Sequence, residues 1–128
     1  MKRLGLALLL GALVLAACSQ SPAPRELEVE LADGFITPEV PSVAQGTVTF
    51  EVENYGTVTH TLVVTDAAGH VVAATEVLDP EDGTNLEVAL DPGTYQLTCR
   101  IVAEDEDGNI IDHFQQGMRA ELKVVPST

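Results

Sequence analysis

Apolar and polar positions alternate with a period of two along most of this chain, in short runs separated by turn residues. Leu27, Val29 and Leu31 interleave with Glu26, Glu28 and Glu30. Val48, Phe50 and Val52 interleave with Thr47, Thr49, Glu51 and Glu53. Leu62 and Val64 continue the pattern, and Val63 between them reads as burial on both faces. Further runs are Leu86, Val88 and Leu90, then Tyr95, Leu97 and Cys99, then Met118, Ala120, Leu122 and Val124. TDAAGHVV (65–72) and LDPGTY (90–95) read as turns that feed strands. No stretch has helical periodicity and no internal repeat is visible. The pattern predicts an all-β domain, a Greek-key β-sandwich of about eight strands in two sheets.

The first residues break this pattern. Lys2 and Arg3 precede an apolar run from Leu4 to Leu15 that is too short to span a bilayer. Leu15-Ala16-Ala17-Cys18 follows and resembles a bacterial lipobox. The resemblance implies cleavage before Cys18 and lipidation of Cys18. SQSPAPRE (19–26) is polar and proline-rich, as a tether should be. The expected organisation is therefore a lipoprotein signal peptide at 1–17, a lipidated cysteine with a flexible tether at 18–26, and one domain at 27–128. The protein is expected to be exported and lipid-anchored to a bacterial membrane, facing periplasm or cell exterior.

Charge narrows the partners. Of 6 basic residues, Lys2 and Arg3 lie in the leader, so four remain against 20 acidic ones, a formal charge of −16. Such a surface repels nucleic acid and anionic lipid headgroups, and it favours a cationic partner. Cysteine usage narrows the chemistry. With Cys18 carrying lipid, Cys99 has no partner in a compartment where thiols usually pair. Cys99 is then a buried structural thiol, a reactive thiol or a metal ligand.

Strand phase bears on that choice. Cys99 shares parity with Tyr95 and Leu97, and Met118 with Leu122 and Val124, so both sulfur residues point inward at strand ends. His60 starts an apolar strand after the turn Asn54-Tyr55-Gly56, and His113 lies five residues before Met118. A lone histidine beside a strand is more often structural or solvated. Two histidines and a cysteine with a weak axial methionine, however, make up a blue-copper donor set. His70 sits beside a turn with no such companions and reads as exposed.

Several segments carry a family resemblance in the right order. They are FITPEVPSVAQGTVTFEVEN (35–54), NYGTVTH (54–60), GTYQLTC (93–99), HFQQGM (113–118) and MRAELKVV (118–125). Together they resemble the cupredoxins, the plastocyanin- and azurin-like blue-copper proteins. The resemblance implies one type 1 copper held by His60, Cys99, His113 and Met118, and single-electron transfer without enzymatic activity. It implies a redox partner such as a cationic cytochrome or a membrane oxidase or reductase complex, served by a monomeric domain.

One departure from that family is a long insert. Thirteen residues, 100–112, separate Cys99 from His113. Ile101 and Val102 on one side and Ile110 and Ile111 on the other flank an acidic stretch ending in Asp107-Gly108, a hairpin dipeptide. A hairpin returns to its origin, which brings His113 back beside Cys99 and carries the acidic tip away from the metal. Glu104, Asp105, Glu106 and Asp107 do not fall at calcium-loop spacing. They read either as a solvated tip or as a docking patch for a cationic redox partner. Two other functions fit the sequence less well. A copper carrier or buffer that delivers metal to an oxidase would use the same ligands, and a metal-free structural sandwich would use none.

Overall fold

The computed structural model describes residues 21–127. The expected signal peptide and Cys18 lie outside the described residues. Among the described residues eleven strands form and none is helical. The first sheet contains β1 (Glu26–Ala32), β2 (Phe35–Pro38), β4 (Gly46–Asn54) and β7 (Gly83–Leu90) in the order β2-β1-β4-β7. The second contains β3 (Ser42–Ala44), β5 (Val63–Thr65), β6 (Val71–Ala74), β8 (Gly93–Thr98) and β11 (Arg119–Val125) in the order β3-β11-β8-β5-β6. β9 (Val102–Glu104) and β10 (Ile110–Asp112) pair only with each other. The sandwich thus has nine strands where the sequence suggested about eight. The additional pieces are short edge strands such as β3, whose three residues are too few to show a period.

Alternation builds the core. Leu27, Val29 and Leu31 of β1 and Val48, Phe50 and Val52 of β4 are fully buried. Opposite them lie Val64, Tyr95, Leu97, Leu122 and Val124 of the second sheet. Tyr95 closes one corner by donating its hydroxyl to the Asp91 carbonyl at 2.8 Å. Cys99 and Met118 belong to the same buried cluster, as their parity required.

The solvent face of the first sheet carries an unusual burden. β1 and β4 run parallel, with Glu28 opposite Glu51 and Glu30 opposite Glu53. Like charges in directly opposed positions are destabilising. The Glu51 carboxyl is pushed above its ordinary 4.5, first by a hydrogen bond with Glu26 and then by the charges of Glu26, Glu28 and Glu39. The Tyr55 phenol is pushed up as well, chiefly by Glu28.

This face sets a pH dependence. An acid whose folded pKa is raised is harder to ionise in the folded state, so its cost to stability grows as pH rises past its ordinary value and is complete above the raised one. Asp33 behaves oppositely: its pKa falls from 3.8 to about 2, so its contribution is present above 3.8 and lost as pH falls toward about 2. As pH falls from neutrality toward 4.5 the easing of the Glu51 cost is opposed by buried His113, whose lowered pKa costs stability below 6.5, and melting of the metal-free domain should shift downward below 3.8 as Asp33 is protonated. Raising ionic strength to about 0.15 M at neutral pH should also stabilise it, by screening exposed charges. A midpoint indifferent to salt at neutral pH would contradict the repulsion.

Candidate metal centre

Four chain segments converge at one end of the sandwich. His60 sits in the connection between β4 and β5, where its backbone exchanges two hydrogen bonds with Leu78, at 3.0 and 2.9 Å. Cys99 immediately follows β8, His113 immediately follows β10, and Met118 immediately precedes β11. All four are buried, at 1%, 0%, 3% and 0% relative exposure for His60, Cys99, His113 and Met118. Three polar side chains in so dry a place require partners.

They find one another. His60 Nδ1 lies 3.1 Å from His113 Nδ1, Cys99 Sγ lies 3.5 Å from His113 Nδ1, and Cys99 Sγ lies 4.0 Å from His60 Nδ1. Metal–nitrogen and metal–sulfur bonds of about 2.0–2.3 Å in a trigonal plane separate donors by about 3.5–4 Å. The triangle is within a few tenths of an ångström of that spacing, so these residues fit a small transition-metal ion. Two imidazoles and a soft thiolate suit copper. The Thr61 N–H points at Cys99 Sγ from 3.5 Å and would stabilise negative charge on sulfur. Burial, and then the neighbouring His60, push the His113 pKa down, which favours the neutral imidazole that metals bind. Met118 meets Cys99 through the backbone, where the Cys99 N–H donates to the Met118 carbonyl at 3.1 Å.

The surroundings hold these segments in place. Asn54 ends β4 and is buried. Its Nδ2 donates to the Val58 and Leu78 carbonyls at 3.0 and 2.9 Å, and its Oδ1 accepts from the Gly56 N–H at 2.8 Å. The loop leading to His60 is thereby tied to the strand before it. Gly117 has φ of +114°, and a Cβ there would press on the Gly34 carbonyl at 3.0 Å, so the residue before Met118 must be glycine. Arg100 and Arg119, which follow Cys99 and Met118, both approach the ring of Phe114, which follows His113, at 3.9 and 5.2 Å from its centroid. These cation–π contacts link the three ligand segments on their outer side.

The insert is a hairpin, with Ile110 opposite Glu104, Ile111 opposite Ala103 and Asp112 opposite Val102. The His113 N–H donates to the Ile101 carbonyl at 3.0 Å, which returns His113 to Cys99. The four acids have different situations. Asp105 holds the turn by accepting from the Asp107 and Asn109 N–H groups at 2.9 and 2.8 Å. Glu104 and Asp105 also line a cavity of about 310 Å³ together with Asp33, Val58, His60 and His113. The acids therefore divide: Glu104 and Asp105 share the cavity of the ligands, while Glu106 and Asp107 sit in the turn at the tip of the hairpin. His70 is exposed and faces Asp66 at 3.2 Å.

Asp33 and Asn54 are site residues that the sequence pattern did not single out. Asp33 Oδ1 is 3.0 Å from His60 Nε2, and both its oxygens accept from Thr57. The Thr57 hydroxyl is the leading cause of its low pKa, with the hydrogen bond to His60 adding to it.

The family described as "Cupredoxin-like domain" matches residues 5–111, which include His60 and Cys99 and stop short of His113 and Met118. Comparison with curated proteins gave no match. Dithionite-reduced auracyanin from Roseiflexus castenholzii superposes with a TM-score of 0.63 at 21% identity, covering 81% of this chain and 99% of that one. Reduced rusticyanin gives 0.53 at 18% identity, covering 80% and 81%. A multicopper oxidase gives 0.54 at 16% identity, covering 79% of this chain and 42% of that one. At these identities the likeness is one of fold.

Proposed function

We propose that this chain, which belongs to the cupredoxin-like domain family, holds one type 1 (blue) copper ion through His60, Cys99, His113 and Met118 and carries single electrons between redox partners. The observation that carries this reading is the convergence of two imidazole Nδ1 atoms and one thiol sulfur in a buried cluster. Copper bound there supplies a one-electron couple. The chain's residues supply a fixed frame: Asn54, the Leu78 backbone and the hairpin hold the donors so that a change of charge needs little movement. Burial of His60, Cys99 and His113 favours retention over release, which supports electron carriage over copper delivery. The absence of catalysis by this chain alone is part of the proposal.

Lipidation of Cys18 would tether the domain to a bacterial membrane, on the periplasmic or outer side. A cationic protein such as a cytochrome, or a membrane oxidase or reductase complex, would be its partner, drawn by the −16 charge of the chain beyond its leader.

Titration of the soluble domain with Cu(II) should give an intense blue charge-transfer band at one equivalent. Cys99→Ser should abolish the band and leave the domain folded by circular dichroism. Met118→Gln should retain copper with a lowered potential, because a weak axial ligand tunes more than it holds. A Cys99→Ser protein that stays blue would refute the assignment.

Docking at the hairpin has its own test. Replacing Glu104, Glu106 and Asp107 by Gln or Asn, with Asp105 kept for the turn, should slow electron transfer to a basic cytochrome in stopped flow. The salt dependence of the rate should weaken too. An unchanged rate at low salt would leave those acids as solvated surface.

A further inference from the structure

Asp33 lies in the turn between β1 and β2, far in sequence from every proposed ligand, yet its carboxylate reaches the back of the His60 ring. Oδ1 is 3.0 Å from His60 Nε2. The Thr57 N–H donates to Oδ1 and Oδ2 at 3.0 and 3.1 Å, and the Thr57 hydroxyl donates to Oδ2, so the carboxylate cannot turn away. The opposite ring nitrogen, Nδ1, faces Cys99 and His113.

The chemistry of the two groups fixes a proton. An ionised carboxylate only accepts hydrogen bonds, and a neutral imidazole has one N–H. With that N–H on Nε2 and donated to Asp33, the Nδ1 lone pair is left free and aimed at the cluster. In the metal-free protein the 3.1 Å contact between the two Nδ1 atoms is then completed by an N–H of His113.

Two further features keep this contact open. A Cβ at Gly56 would fall within 3.0 Å of Asp33 Oδ1 and of His60 Nε2, so only glycine lets the carboxylate reach the ring. The neighbouring Gly34 packs its carbonyl against Gly117, beside Met118, so the turn that bears Asp33 is also seated on the second ligand segment.

We propose that Asp33 is a positioning residue for the metal centre: it holds His60 in the Nε2–H tautomer with Nδ1 toward the metal, and its negative charge favours Cu(II) over Cu(I). This rests on the copper reading above. A carboxylate behind a ligating histidine orients the ring and raises its basicity, and removing such a partner typically costs about 10–100-fold in metal affinity. The more highly charged ion feels the carboxylate more, so Asp33 holds the reduction potential down. The competing role is structural, with Asp33 serving only to pin the 54–60 loop through Thr57.

The test uses the wild-type domain, Asp33→Asn and Asp33→Ala. Nitrogen-15 NMR of metal-free protein should show His60 as the Nε2–H tautomer, and Asp33→Ala should lose that preference. In Asp33→Asn, Cu(II) affinity should fall by about 10–100-fold, Cu(I) affinity should fall less, and the midpoint potential should rise. Equal losses for both ions with an unchanged potential and lower thermal stability would reduce Asp33 to a loop staple. An Nδ1–H tautomer in the wild type would overturn the proposal outright. A wild-type domain that takes up no copper would instead overturn the copper reading and with it the charge effect. The NMR result would still report whether Asp33 sets the His60 tautomer.

Discussion

Everything at the site end of this molecule depends on keeping His60, Cys99 and His113 together where water does not reach. Their side chains come from three separate segments and end within 4.8 Å of one another, all buried. A polar group taken from water without a partner costs several kcal/mol on apolar reference scales. The surrounding structure answers that demand at each ligand. His60 is held on both ring nitrogens, by Asp33 and by His113. The sulfur of Cys99 faces the Thr61 N–H, and the backbone of His113 is tied to Ile101. The same contacts leave the donors little freedom to relax, which is the property an electron-transfer metal centre needs.

The two sheets contribute differently to this arrangement. The second sheet delivers Cys99 and Met118 from adjacent antiparallel strands, with Thr98 opposite Arg119. The first sheet delivers the supports. The parallel pairing of β1 with β4 ends with Leu31 opposite Asn54, which brings the Asp33 turn beside the His60 loop. That same pairing stacks glutamates on the solvent face of the first sheet. The hairpin adds carboxylates at the rim of the cavity that reaches His60 and His113.

Much of this was legible in the sequence, for physical reasons that differ by residue. Cys99 and Met118 could be placed inward because a strand's side chains alternate strictly, and parity survives errors in strand ends. The return of His113 was legible because Asp107-Gly108 sits between two apolar pairs. Asp33 was not legible. Its role depends on a strand pairing that brings together residues 27 positions apart, and an aspartate before glycine otherwise reads as an ordinary turn. The lean of Glu104 and Asp105 toward the ligands was missed for a related reason. Strand register says which residues pair, but it does not say how a two-stranded ribbon packs against the body that carries it. Cys18 and the leader lie outside the described residues, so the anchoring expectation stands on sequence alone.

On the proposed reading, two imidazoles and one thiolate already stand in place to bind one copper in both oxidation states. X-ray absorption at the copper edge, on the same domain loaded with Cu(II) and then reduced, tests it directly. Two nitrogen scatterers and one short sulfur scatterer are expected in each state, with bond lengths that change little on reduction. A first shell without sulfur, or one that loses a nitrogen or gains ligands on reduction, would contradict it.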